Sequence, residues 1–183
     1  MLDNSNISVF VDRDGVLNRT NLRVGKSYPP DTLDEFEFLP DVESAVQNLK
    51  LAGFKVIVVT NQPDVTSGKQ SLENVEAMHD LVRKTLKVDD IFTCFCLEGE
   101  GCDCYKPKPG MLIDAAKKWN IDLTKSYMVG DRWRDVDAGK AAGCKTLFID
   151  YAYNERRPDN PDFIVKNLAE ASQIILQESN VQI

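Results

Sequence analysis

Four β-branched residues stand in succession at Val56-Ile57-Val58-Val59. A run with no polar face cannot lie on a surface. It demands a strand covered on both sides, the environment of a parallel sheet sandwiched between helices. Phe54 to Thr60 is therefore read as one strand. Comparable runs occur at Val9-Phe10-Val11, Ile91 to Cys96, Tyr127-Met128-Val129 and Thr146 to Ile149, with Phe163 to Val165 as a sixth candidate. Between them apolar residues return at helical spacing. Val42, Ala45, Val46, Leu49 and Ala52 precede Gly53, and Leu72, Val75, Met78, Val82 and Leu86 mark a helix over residues 71–87. Met111, Leu112, Ala115, Ala116 and Trp119 follow Gly110, a further helix runs through Ala142 to Gly143, and Leu168, Ala169, Ile174 and Ile175 form a last one. Strands alternating with helices predict an α/β fold, a doubly wound, Rossmann-like parallel sheet. At 183 residues the chain suits a single domain spanning residues 1–183.

The net charge of −7 repels nucleic acid and anionic membranes and favours small-molecule substrates. Nowhere do 18 apolar residues run together, and the polar segment from Met1 to Asn6 lacks the features of a leader, so no membrane partner and a cytoplasmic location are expected. A monomer is the default. The single histidine, His79, is read as lying among polar helix neighbours and is assigned no role. The five cysteines are read as thiols, metal ligands or core side chains rather than disulfides.

Ligands in such sheets sit beyond the carboxyl ends of the strands, and polar residues gather there. The first strand runs into Asp12-Arg13-Asp14-Gly15. Two carboxylates at i and i+2 repel one another, and a cation, a proton or exposure to water in a turn relieves them, with a divalent metal the most economical choice. Thr60-Asn61-Gln62 offers a hydroxyl and two amides that suit phosphate oxygens or ordinary turn chemistry. In Tyr105-Lys106-Pro107-Lys108-Pro109 the prolines predict a stiff extended segment that suits Lys106 to a fixed anion. Asp131 either joins Asp12 in holding magnesium or caps the helix that follows, and Asp135 lies four residues on. Cys94, Cys96, Cys102 and Cys104 form two Cys-x-Cys pairs across a short loop, residues 94–104. They match a closed structural zinc site, with packed thiols or a redox pair as alternatives, while Cys144 is read as a core residue. The long polar connection from Asn18 to Leu39 carries Arg19, Arg23 and Lys26, cations able to reach an anionic ligand.

Asp12-Arg13-Asp14-Gly15, Thr60-Asn61-Gln62, Lys106-Pro107 and Gly130-Asp131 with Asp135 resemble, in order and spacing, the four motifs of the haloacid dehalogenase superfamily of phosphatases. The cysteine knuckle and Lys-Pro-Lys-Pro-Gly-Met are similar to its capless branch, which contains heptose 1,7-bisphosphate and histidinol-phosphate phosphatases. That resemblance implies a fold without a large cap and a magnesium-dependent phosphomonoesterase. Asp12 would be the nucleophile, Asp14 the acid and base, Thr60 and Lys106 the partners of the transferring phosphoryl group. Magnesium would be held by Asp12, Asp131 and the Asp14 backbone carbonyl, with Asp135 orienting Lys106 or a metal-bound water. A small phosphorylated sugar is the implied substrate, heptose 1,7-bisphosphate first and histidinol phosphate second; a zinc-stabilised binding protein without turnover is the reading of another class. Two positions depart from the branch: Cys96 stands where histidine is usual and Tyr105 where arginine is usual. Arg19, Arg23 or Arg132 would then supply the missing cation. Residues 19–36 are expected to act as a specificity loop, with Asn61, Gln62, Arg19, Tyr105 and Arg132 as candidate substrate contacts.

Overall fold

The computed structural model describes residues 6–23 and 25–179; the side chains of Arg23 and Lys26 and the segment before Asn6 lie outside the described residues. Strand β1 (Ser8–Val11) is followed by a small hairpin, β2 (Asn21–Arg23) and β3 (Lys26–Tyr28), and then by helix α1 (Val42–Leu51). Next come β4 (Lys55–Asn61), the single turn α2 (Pro63–Thr66), α3 (Leu72–Leu86), β5 (Asp90–Cys94) and α4 (Gly110–Trp119). The chain continues through β6 (Tyr127–Gly130), α5 (Trp133–Ala142), β7 (Lys145–Ile149), β8 (Phe163–Val165) and α6 (Leu168–Glu178).

Six strands form one parallel sheet in the order β5-β4-β1-β6-β7-β8. Successive side chains of a strand point to opposite faces. Val9, Val11, Val56 and Val58 therefore pack with α1, α3 and α6, while Phe10, Ile57 and Val59 pack with α4 and α5. The four β-branched residues that demanded two covered faces are fully buried. Burying each side chain of this size stabilises by about 1.5–3 kcal/mol, enough for the central strands to fix the position of whatever follows them.

Three expectations need correction. The strand read as far as Cys96 ends at Cys94, and Cys96 belongs to the loop. The connection from Asn18 to Leu39 contains the β2–β3 hairpin, whose three-residue strands are too short and polar to show a period. His79 is fully buried, because it lies four residues after Val75 and three before Val82 on the inward stripe of α3. Among the described residues no helix is long and apolar enough to cross a membrane.

Candidate active site

The central strands β4, β1 and β6 lie side by side and parallel, so their carboxyl ends share one edge of the sheet. Asp12 follows β1 directly, Thr60 and Asn61 close β4, and Asp131 follows Gly130 of β6. Lys106 enters from the loop after β5 and is 2% exposed. Its Nζ donates to Asp135 Oδ1 at 2.6 Å and to the Val59 carbonyl at 2.8 Å, and stands 3.0 Å from Asp12 Oδ1. Three acceptors match the three protons of an ammonium. Burial alone would push this amine down, but the Asp12 and Asp135 carboxylates outweigh it and hold it up at about 12. Asp12 is pushed up to about 6, first by burial and further by Asp135 and Asp14, with Lys106 opposing.

Asn61 forms a reciprocal pair with the Lys106 backbone, accepting from its N–H and donating to its carbonyl, both at 3.1 Å. The segment from Tyr105 to Pro109 is not the extended piece expected. It turns, with the Lys108 N–H on the Tyr105 carbonyl at 3.0 Å, so Lys106 points inward while Lys108 points toward the carbonyls of Gly101 and Cys102. The side-chain amide of Gln62 donates to Thr60 Oγ1 at 2.9 Å and to Asp14 Oδ2 at 2.8 Å. Asp135 spans the site's far wall: besides Lys106, it accepts from the Arg132 N–H at 3.0 Å and so caps α5.

Asp131 is 2% exposed and neither of its carboxylate oxygens has a hydrogen-bond partner. Tyr153 lies close enough to act on it electrostatically without closing a well-formed hydrogen bond. Burial first, then the Asp135 and Asp12 carboxylates, push Asp131 well above the usual carboxylate range. An unpaired buried carboxylate is among the costliest groups a fold can keep. Oxygen atoms of Asp12, Asp131 and Asp135 gather within 4.8 Å of one another. This hard, all-oxygen donor set suits a magnesium ion, which takes one or two carboxylates and completes its shell with water and phosphate. Gly15 shows how closely the turn closes on Asp131: its φ of +86° favours glycine, and an added Cβ would collide with that carboxylate.

Asp131 borders a hollow beside Tyr151 and Tyr153, and next to it Asp12, Asp14, Asn61, Gln62, Lys106 and Asp135 line a cavity of about 210 Å³. Its mouth carries residues the motif reading did not single out. Arg134 rests its guanidinium 5.6 Å from the centre of the Tyr105 ring, donates to the Tyr105 hydroxyl at 3.0 Å and pairs with Glu98 at 2.7 Å. Arg132 pairs with Glu155, which was also missed. Ser27, Tyr28 and Pro29 bring the β3 end of the hairpin to the same cavity. Arg19 does not join them: it is paired with Glu37 at the surface and borders a separate hollow beside Tyr151 and Tyr153. A helix-face arginine such as Arg134 is hard to find from sequence, because its role depends on which loop the fold lays across it.

The Sγ atoms of Cys94, Cys96, Cys102 and Cys104 lie within 4.8 Å of one another. Cys94 and Cys104 stand as a disulfide pair, with Cys96 and Cys102 as free thiols. A disulfide accounts for two of the four sulfurs only. Tetrahedral zinc with Zn–S bonds of about 2.3 Å sets its sulfurs roughly 3.8 Å apart. The separations of 3.8, 3.7 and 3.5 Å for Cys94–Cys102, Cys96–Cys104 and Cys102–Cys104 sit close to that value and the Cys94–Cys104 pair does not, so the cluster fits a structural zinc ion with that pair reduced to thiolates. Cys144 is buried in the core, and burial pushes its thiol up to about 12.

Fold and site together define a hydrolase of the α/β class whose reactive carboxylates stand at the ends of the central strands. The chain belongs to the haloacid dehalogenase-like hydrolase family, whose model matches residues 28–143. Among curated relatives, a D-glycero-beta-D-manno-heptose-1,7-bisphosphate 7-phosphatase of Rhodopseudomonas palustris is 36% identical, over 74% of this chain and 79% of its own length. The Escherichia coli protein of the same name is 32% identical, over 93% of this chain and 94% of its own. Among solved structures, a D,D-heptose 1,7-bisphosphate phosphatase from B. bronchiseptica, complexed with magnesium and phosphate, matches with a TM-score of 0.77 and 29% identity, covering 94% of this chain and 99% of that one.

Proposed function

We propose that the protein is a magnesium-dependent phosphomonoesterase that removes the 7-phosphate of D-glycero-D-manno-heptose 1,7-bisphosphate through an aspartyl-phosphate. The observation that carries this reading is the buried Asp12 carboxylate held against Lys106 next to the unpartnered Asp131. A carboxylate so placed is a positioned nucleophile, and the neighbouring cation offsets charge that grows as phosphate oxygens approach. An Asp12 oxygen bonds to phosphorus as the bond to the sugar oxygen breaks, and Asp14 gives that oxygen its proton. Asp14 then takes a proton from the water that cleaves the aspartyl-phosphate, returning Asp12 and releasing phosphate. Thr60 hydrogen-bonds the transferring group, and Asp135 holds Lys106 in place. Asp12, Asp131 and the Asp14 backbone carbonyl would hold magnesium, whose positive charge would offset that of the phosphate group.

The substrate follows the names of the relatives and the charge of the cavity mouth. Arg134, resting on Tyr105, carries a cation to the place where the branch usually has arginine, and with Arg132 it suits a second phosphate on the same sugar. The hairpin within residues 19–36 borders this mouth and acts as the specificity loop, and the zinc loop, residues 94–104, holds Tyr105 and Lys106 in register. Gln62, Asn61 and Tyr105 complete the substrate contacts. A single domain over residues 1–183, a monomeric state and a cytoplasmic location accompany the reading.

Phosphate release from heptose bisphosphate, histidinol phosphate and other sugar phosphates, with and without magnesium, tests it. Magnesium-dependent turnover with heptose bisphosphate preferred is expected. Preference for histidinol phosphate would move the substrate, and no turnover of any compound by metal-replete protein would leave a zinc-stabilised binding protein.

A further inference from the structure

Arg13 stands between the two acids of the first motif, yet its side chain is 1% exposed, an uncommon fate for arginine. Its guanidinium lies 6.0 Å from the centre of the Phe36 ring, and its Nε and Nη2 form a fork on the Asp14 carboxylate with contacts of 3.2, 3.0 and 2.9 Å. The remaining nitrogen, Nη1, is 3.3 Å from Nε2 of the fully buried His79. A guanidinium can only donate, so His79 Nε2 is the acceptor and the proton of the neutral ring sits on Nδ1. Burial first, and then the Arg13 charge, push His79 down to about 4, which keeps it neutral at ordinary pH. The other charges facing it, Glu76 and Arg83, lie on its own helix α3.

We infer that His79 is a positioning residue for the acid and base carboxylate: by accepting the Arg13 Nη1–H it orients the guanidinium, and the oriented fork fixes where Asp14 stands. A fork grips a carboxylate only when the two planes agree, and at the far end of the guanidinium His79 meets Nη1 while the Phe36 ring lies 6.0 Å away. Asn18 and Gln62 complete the setting of Asp14 with donors at 2.9 and 2.8 Å, but neither touches Arg13 at its far nitrogen. His79 thus reaches the chemistry through one intermediary, from the helix layer beneath the sheet edge. The inference rests on the reading of Asp14 as the proton donor to the leaving group.

That dependence supplies a selective test. A sugar oxygen leaves badly without a proton, whereas p-nitrophenolate leaves without one, so losing the position of Asp14 should slow sugar phosphates far more than p-nitrophenyl phosphate. Values of kcat/KM, which report the phosphoryl-transfer step, are compared for the magnesium-loaded full chain and its variants. His79→Leu is expected to lose roughly tenfold to a hundredfold on the sugar phosphate and less than about threefold on p-nitrophenyl phosphate. His79→Gln, whose amide oxygen can accept from Arg13, is expected to recover most of that loss. Equal losses on both substrates, no loss on either, or a glutamine variant no better than leucine would overturn the inference. Should His79→Leu fail to fold, Arg13→Lys decides the same question, since lysine keeps the charge and loses the fork. It should reproduce the leaving-group-selective loss, and a uniform loss or none would count against the proposal. Failure of the underlying reading looks different: Asp14→Asn would then slow the sugar phosphate no more than p-nitrophenyl phosphate.

Discussion

The floor and the mouth of the site are built differently. Asp12, Thr60, Lys106, Asp131 and Asp135 are each at most 8% exposed, and all but Lys106 follow or close a central strand or cap the helix after one. Arg132 and Arg134 at the mouth are partly exposed and paired with Glu155 and Glu98, acids delivered by loops. Breaking a buried ion pair such as Lys106 with Asp12 and Asp135 costs about 3–5 kcal/mol, so the floor tolerates little change. Exposed pairs contribute little to stability, so the mouth can change its occupants without cost to the fold. Chemistry common to a family belongs in the first setting and substrate choice in the second.

Breaking the floor should therefore have the larger consequences. Asp12→Asn removes the proposed nucleophile while keeping shape and hydrogen-bonding capacity. Turnover is expected to fall at least about a thousandfold with the circular dichroism spectrum unchanged. Retained activity would remove Asp12 from its role. Lys106→Met leaves the Asp12 and Asp135 carboxylates buried without their cation, and urea unfolding of metal-free protein should show a loss of about 3–5 kcal/mol. A loss below 1 kcal/mol would mean that water reaches these groups and that the floor is not a closed setting.

Removing zinc probes the wall between the two regions. Wild-type protein should contain about one equivalent of zinc, and Cys102→Ser should lose it together with thermal stability. Metal-free wild-type protein of undiminished stability would defeat the zinc assignment.

A pH titration sharpens the boundary beneath the floor. His79 has its folded pKa near 4, below its ordinary value of 6.5, so the unfolded chain binds the proton more readily. The stability this contributes is fully present above about pH 6.5 and is lost as pH falls toward 4, by up to about 3 kcal/mol. Asp12, raised to about 6, works in the opposite sense, because its protonation favours the folded state as pH falls through that value. Comparing wild type with His79→Gln cancels the Asp12 contribution. The difference between the two should shrink as pH falls from 6.5 to 4, and a constant difference would show that His79 is not kept neutral. The smallest effect belongs to the mouth: Arg134→Ala is expected to raise KM for heptose bisphosphate about tenfold, leave KM for a monophosphate nearly unchanged, and shift stability by less than about 1 kcal/mol. Equal KM changes for both would dissociate Arg134 from the second phosphate.

The same division explains which features could be read early. Val56 to Val59 and the helix stripes are local periodicities, so the alternation of strand and helix and the positions of Asp12, Thr60 and Asp131 at strand ends followed from spacing alone. The stripe of α3 also held a signal for His79, four residues beyond Val75, that its polar flanks obscured. Arg19 had the right charge and lay close in sequence to the first motif, yet the turn after β1 carries it to the surface and Glu37. Arg134 had no sequence marker until Tyr105 was laid across it.

By itself, then, the sequence determined the layered sheet, the strand ends that carry carboxylates, the lysine that follows the cysteine loop, and a four-thiol cluster matched to zinc. Those follow from periodicity, turn chemistry and ligand type, all of which act over a few residues. Only the tertiary structure decided the partners: Asn61 gripping the backbone of Lys106, Asp131 left without a hydrogen bond, Arg13 clasped between Asp14 and His79, and Arg134 rather than Arg19 at the cavity mouth. Pairing between residues far apart in the chain depends on which helices the sheet can bury together, and no local pattern encodes that.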